Sequence, residues 1–164
     1  MTNTNDFNIR LATSEDTPLI LEFIRELAHY EKMSDQVVAT EELLHDTLFT
    51  QKKAEVLIGE YQGKPAAFAL FFHNFSTFLG RPGIYLEDLY VKEEFRRMGF
   101  GKKLLTTLAT LAKERNCGRL EWSCLNWNTP SINFYKSLGS IPMNEWTVYR
   151  LQGEALEHMA EATH

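Results

Sequence analysis

The sequence predicts a mixed α/β (α+β) fold, one sheet with helices on both faces, built as a single domain over residues 1–164. Three observations predict it. Short runs that alternate apolar and polar residues, or are apolar throughout, recur between turn residues, as strands do. Two longer stretches, 19–28 and 101–116, repeat their apolar residues at helical spacing. With 164 residues, 44% of them hydrophobic, and eleven Phe, six Tyr and three Trp, the chain fills one sizeable core and is too short for two domains of usual size.

The elements follow in order. Phe7-Asn8-Ile9-Arg10-Leu11 alternates as a half-buried strand does. Thr13-Ser14-Glu15-Asp16 offers a helix N-cap, and Pro18 suits the first turn. Leu19, Ile20, Phe23, Ile24, Leu27 and Ala28 make the apolar stripe of that helix. A second helix is expected from Thr40, with Leu43, Leu44, Thr47 and Leu48 inward. Residues 54–61 and 66–75 read as two antiparallel strands joined by the turn Gln62-Gly63-Lys64. After a loop holding Gly80 and Pro82, strand 84–91 runs into a glycine turn and then a helix over 101–116, which buries Leu104, Leu105, Leu108, Leu111 and Ala112. A strand is expected over 119–125. A helix over 129–138 has Pro130 early and Gly139 at its end. A last strand, 146–151, and a helix, 154–160, complete the order.

The chemistry concentrates on three segments. Arg96-Arg97-Met98-Gly99-Phe100-Gly101 places backbone N–H groups at a helix start, where the helix dipole favours anions. Glycine permits close approach of a phosphate group, and Arg96, Arg97, Lys102 and Lys103 add positive charge. This is neither a Walker A loop, because Lys103 stands where a hydroxyl is needed, nor a dinucleotide fingerprint, because Leu104 stands where the third glycine is needed. The preceding strand, Tyr85-Leu86-Glu87-Asp88-Leu89-Tyr90-Val91, carries two acids in an apolar run. Acids there need pairing or water; alternatively one of them accepts a proton. Glu87 is preferred for that role, and Asp88 has a structural alternative. In the third segment Asn128 or Thr129 caps a helix, and one turn further in Tyr135 is either packed or a proton donor to a leaving group.

Other classes are disfavoured. A net charge of −5 argues against a broad nucleic-acid surface. The five histidines lack ligand spacing, so no metal site is expected. No apolar run approaches the ~20 residues that span a membrane. Cys117 and Cys124 form no CxxC pair or disulfide framework, and residues 1–6 lack the basic and apolar opening of a secretory leader, so the cytoplasm is expected.

Together these segments resemble the GNAT acyltransferase superfamily, whose coenzyme A motif is R-x-x-G-x-G/A. The likeness is nearest to the diamine (spermidine/spermine) and thialysine N-acetyltransferases. It runs through Ile9–Thr13, Glu26–Glu31, Tyr85–Asp88, the glycine turn and Trp127–Lys136. The tail Leu151-Gln152-Gly153-Glu154-Ala155 resembles the thialysine branch. Ser76 and Phe78 stand where polyamine enzymes tend to carry an acid and a Trp, which leans the same way. The resemblance implies a mostly antiparallel central sheet and direct transfer of an acetyl group from acetyl-CoA to a primary amine in a ternary complex. It implies that Leu89, Tyr90 and Val91 offer strand backbone to the pantetheine arm. Arg97, Met98, Gly99, Phe100, Gly101 and Lys102 would hold the pyrophosphate, and Asn128, Thr129, Pro130 and Ser131 would line the cosubstrate. Tyr135 would be the general acid and Glu87 the proton acceptor. Tyr30, Glu31 and Glu87 would face the amine, with Glu121, Trp122 and Ser123 along the same cleft. It also implies a homodimer acting on a small-molecule amine. Acetylation of protein amines or of an antibiotic amine, and a non-catalytic coenzyme A-binding module, are the alternatives.

Overall fold

A computed structural model describes residues 6–162. Strands β1 (Phe7–Leu11), β2 (Glu55–Tyr61), β3 (Lys64–Ser76), β4 (Arg81–Val91) and β5 (Leu120–Trp122) form one sheet in that spatial order. β1 to β4 pair antiparallel and β5 pairs parallel to β4. The described helices are α1 (Thr17–Tyr30), α2 (Glu41–His45), α3 (Phe100–Glu114), α4 (Thr129–Ser137) and α5 (Gly153–Glu161). The mixed, mostly antiparallel sheet predicted from the sequence is thus observed. The chain divides into two compact units, Met1–Ser123 and Cys124–His164.

In the first unit the sheet is covered on both faces. Ile20 and Phe23 of α1 pack with Val56, Ile58 and Phe68 on one face. The Phe23 ring stacks on Phe68 at 5.0 Å and meets the edge of Tyr90 at 6.5 Å. On the other face Phe100, at the head of α3, stacks on Phe7 of β1. At the far end of α3, Arg115 bonds both carboxylate oxygens of Glu55 and lies over the Phe71 ring. The β2–β3 hairpin closes on two residues, Gln62 and Gly63, both with positive φ, as the twist of such a hairpin demands. Arg10 joins β1 to Asp16 and Glu60 by charged hydrogen bonds, which fix the entry to α1 and hold the Asp16 carboxyl below its usual range.

Three expectations need correction. Leu43 lies exposed rather than inward. Leu44 and Leu48, four residues apart, take the inward stripe, which leaves Leu43 about 100° round the helix from Leu44; a wide π-type turn over Asp46–Thr50 continues α2. The strand expected over 119–125 spans only Leu120–Trp122. The strand expected over 146–151 is absent: this stretch has no regular structure, and Trp146, Val148 and Tyr149 are exposed. Its β-branched and aromatic composition suits a strand, but a strand also needs a partner for its backbone, and no described strand pairs with it.

In the second unit Asn128 caps α4 by accepting a hydrogen bond from the Ser131 N–H, and Gly139 ends that helix region at φ 89°. Neither α4 nor α5 has a fully buried residue. Among the described residues no helix is long and apolar enough to cross a membrane, and no three potential metal ligands cluster.

Candidate active site

The site in the first unit begins with an irregularity in β4. Leu70 pairs with Asp88, but Phe71 pairs with Leu86, so Glu87 is an extra residue without a cross-strand partner. Such a bulge bends a strand and re-aims its side chains. The last pair between β4 and β5 is Leu86 with Trp122, one residue earlier. Beyond it, β4 continues to Val91 with β3 alone. The Lys92 N–H donates to Ala66 O at 2.8 Å, on the β3 side. Strand alternation therefore turns the N–H groups of Leu89 and Val91 away from β3, onto the open edge, and the N–H of Tyr90 toward β3.

The glycine turn follows that edge. Gly99, at φ 82°, is the N-cap of α3, and the first helical bond runs from the Lys103 N–H to Gly99 O. The N–H groups of Phe100, Gly101 and Lys102 precede any intrahelical acceptor, so they face outward as anion donors. A Cβ at Gly101 would meet only Val91 Cγ2, at 3.8 Å, an ordinary contact. The protein itself does not require glycine there, which suits a ligand group seated at the helix start. Arg97 holds φ 67° without being glycine, a conformation that costs about 1–2 kcal/mol. Phe100 contributes backbone only, because its ring is buried against Phe7 and Tyr61. Met98 is half-buried and Lys102 is exposed.

The acids gather at one end of α1. Tyr30 closes that helix and Glu31 caps it. Burial pushes the Glu31 carboxyl up. Burial, with the charges of Glu87 and then Glu31 added, pushes the Asp88 carboxyl up to about 6. Glu87 itself is exposed. The sequence favoured Glu87 over Asp88, yet the perturbed carboxyl is Asp88. The sequence reads Arg96 only as added positive charge at the glycine turn. Its guanidinium lies 5.1 Å from the Tyr30 ring centre and 5.4 Å from that of Tyr90, while its Nε donates to Val91 O at 3.0 Å. It ties the acid end of α1 to the glycine turn.

On β5, Glu121 is already engaged: Arg119 Nε lies 2.8 Å away and Asn74 Nδ2 donates at 3.1 Å. Trp122 is half-buried, and the Ser123 and Tyr85 hydroxyls share a hydrogen bond of 2.7 Å across β4 and β5. In the second unit Asn128 is buried, Thr129 and Pro130 lie exposed in the first turn of α4, and Ser131 is half-buried. Tyr135 is half-buried one turn on, with its ring 5.6 Å from Phe134 and its carbonyl accepting from the Ser140 hydroxyl at 2.6 Å. The first unit therefore brings Tyr30, Glu31 and Glu87 to the neighbourhood of Asp88 and the β4 edge, and the second keeps Asn128, Thr129, Pro130, Ser131 and Tyr135 on one short helix.

Known proteins match this arrangement along nearly the whole chain. The acetyltransferase (GNAT) family model matches residues 21–139. The thialysine N-epsilon-acetyltransferase of Bos taurus is 40% identical, over 93% of this chain and 96% of that protein. The L-ornithine N5-acetyltransferase of Arabidopsis thaliana is 33% identical, over 91% of this chain and 86% of that protein. Among solved structures, an integron cassette protein from the mobile metagenome of V. cholerae superposes with a TM-score of 0.79 at 28% identity, over 96% of this chain and 99% of that one. The chain belongs to the GNAT acetyltransferase family, whose members use acetyl-CoA as cosubstrate.

Proposed function

We propose that this acetyltransferase acetylates the terminal primary amine of a small ω-amino acid or diamine, by direct attack in a ternary complex. The observation that carries the reading is the acid group Glu31, Glu87 and Asp88 beside a strand edge whose N–H groups have no strand partner. An alkylamine has a pKa of ~10.4 and arrives protonated at neutral pH. It needs carboxylates to hold the cation and an acceptor for one proton before it can attack. Bound acetyl-CoA supplies the acyl carbon and a thiolate leaving group. The N–H groups of Leu89 and Val91 suit the pantetheine amides and the thioester oxygen, where preorganised donors stabilise developing charge. The turn from Arg97 to Lys102 holds the pyrophosphate; in the second unit, the family resemblance assigns Asn128, Thr129, Pro130 and Ser131 to acetyl-CoA. Tyr135 protonates the departing sulfur. Tyr30, Glu121, Trp122 and Ser123 border the amine.

The names of the thialysine and ornithine relatives support ω-amino acids over long polyamines as the substrate, and so do Ser76 at the end of β3 and Phe78 in the turn after it. A homodimer in the cytoplasm completes the reading. It is supported by the exposed Ile141, Trp146, Val148 and Leu151, whose apolar surface a second copy would cover. The test is free-thiol release from acetyl-CoA with thialysine, ornithine, lysine, spermidine, an aminoglycoside and a lysine peptide. Release with the small ω-amino acids is expected. Cofactor binding without release on any amine would leave a coenzyme A-binding module, and release only with the peptide or the aminoglycoside would move the substrate class. Tyr135→Phe should lower kcat while cofactor affinity stays nearly intact; an equal loss of both would remove the general-acid role.

A further inference from the structure

We propose that Asp88, rather than Glu87, takes the proton from the amine, while Glu31 and Glu87 hold the ammonium in front of it. The inference rests on the amine-acetylation reading above and assigns one of its steps. The geometry comes from strand register. In an unbroken strand Tyr85 and Asp88, three residues apart, would point to opposite faces. Here Tyr85 pairs with Phe72 and Asp88 with Leu70. Leu70 and Phe72 share a face, so their partners do too. That is also the face of Phe68 and its partner Tyr90, on which Phe23 of α1 packs. The bulge thus turns Asp88 toward the side where α1 ends and Glu31 follows, and leaves Glu87 outside the alternation, exposed.

The charged surroundings of Asp88 favour proton uptake. Glu87 is its neighbour on β4 and Glu31 faces it from the end of α1, and both raise its affinity for a proton. Its cross-strand partner Leu70 is neutral. Tyr90, the next residue on that face, is itself covered by Arg96, whose guanidinium is tied to Val91 O and two aromatic rings. Among the described residues no hydrogen bond reaches the Asp88 carboxylate, so no donor holds it ionised. An ordinary aspartate has a pKa of ~3.9, some six and a half decades below the amine. A carboxyl at about 6 narrows that gap by two decades, so direct proton transfer from the ammonium to Asp88 becomes less unfavourable on the order of a hundredfold.

The step balances simply. One N–H bond of the ammonium breaks, the proton goes to an Asp88 carboxylate oxygen, and nitrogen keeps the electron pair that forms the bond to the acyl carbon. The carbon–sulfur bond breaks and the sulfur leaves as thiolate. The second proton lost by nitrogen as the amide forms makes up for the one Tyr135 gives to sulfur. Asp88 releases its proton to solvent after turnover.

The test is the pH profile of kcat/KM for the amine, measured with wild type, Asp88→Asn, Glu87→Gln and Glu31→Gln at saturating acetyl-CoA. Wild type should lose activity below a limb near pH 6. Asp88→Asn should abolish the limb and lower kcat at least a hundredfold, with coenzyme A binding by calorimetry unchanged. Glu87→Gln and Glu31→Gln should keep the limb, move it to lower pH and raise KM for the amine. Should Asp88→Asn fold poorly, the carboxyl carbon shift of Asp88 in wild type, followed by NMR, must titrate at the pH of the limb. A limb that survives Asp88→Asn and vanishes in Glu87→Gln overturns the assignment in favour of Glu87. A wild type that binds coenzyme A and acetylates no amine refutes the functional reading itself, which is a separate outcome.

Discussion

The glycine turn is held by an aromatic ring that faces away from it, and removing that ring is a direct test of how the site is built. Phe100 is the first residue of α3 and is 1% exposed. Its ring stacks on Phe7 at 3.9 Å with an interplanar angle of 4°, and Tyr61 lies 5.3 Å away. Burying a Phe side chain stabilises by up to ~3 kcal/mol, and a well-placed aromatic pair adds roughly 0.5–1.5 kcal/mol. Phe100→Ala should therefore cost about 4 kcal/mol, within the range of roughly 3–5 kcal/mol seen for such truncations. Against a total stability of ~5–15 kcal/mol, that is a large loss from which a folded protein can still emerge. The local consequence matters more. With the ring gone, the start of α3 keeps, among the described residues, only the Lys103 ammonium over Phe7 as a contact of this kind with β1, and the N–H groups of residues 100–102 lose their fixed aim. Urea unfolding would measure the first effect and calorimetric titration with coenzyme A the second. Affinity should fall more than tenfold beyond what the unfolded fraction explains. Phe7→Ala removes the same stack from a strand outside the site and should weaken coenzyme A binding in the same direction. A stability loss below 1 kcal/mol, or the expected loss with unchanged affinity in both variants, would refute the anchoring argument.

Asp88 also makes a prediction about stability that needs no substrate. Its carboxyl rises from 3.8 to about 6 on folding, so the folded protein disfavours the charge; the penalty is absent below pH 3.8, grows as pH rises, and is complete above pH 6. At ~1.4 kcal/mol per decade the penalty reaches about 3 kcal/mol, so urea midpoints should show Asp88→Asn gaining on wild type between pH 4 and 7, and a pH-independent difference would contradict it. Arg96→Gln removes the stacked cation between Tyr30 and Tyr90, contacts worth roughly 1 kcal/mol each; KM for the amine and Kd for coenzyme A should both rise several-fold, whereas a change in Kd alone would show that Arg96 serves only the cosubstrate.

Patterns that depend on side chains alone were legible in the sequence. The apolar stripes of α1 and α3 and the Gln62-Gly63 turn lie where spacing placed them, because burial and positive φ leave direct marks on residue choice. Glu87 and Asp88 are legible as a pair, but the bulge between their pairings is not, because a bulge has no side-chain signature: only the pairing of Leu70 and Phe71 reveals that one residue has been skipped. Arg96 was visible as a charge, but its role depends on Tyr30, sixty-six positions earlier. The strand expected over 146–151 failed for a different reason. Val148 and its neighbours have the right composition, yet a strand is completed by another backbone, and no sequence window contains its partner.

The skipped residue also connects the two halves of the proposed reaction. Parallel pairing of β4 with β5 stops at Leu86, and the bulge comes at once. A bulged strand bends and twists more strongly, which carries the rest of β4 away from β5 and leaves Leu89 and Val91 with donors facing open space. The same residue changes the parity of everything that follows it. Were the strand regular here, with Glu87 opposite Leu70, Asp88 would point to the face that α3 covers, and the donors now on the open edge would turn toward β3. In the proposed reaction the open donors for a thioester and the carboxyl for the amine would then be lost together, since both depend on one unpaired residue between two regular stretches of strand. That common origin explains why neither acid's direction can be read from its neighbours in sequence: it is set by how β4 registers on β3 at Glu87, not by their chemistry.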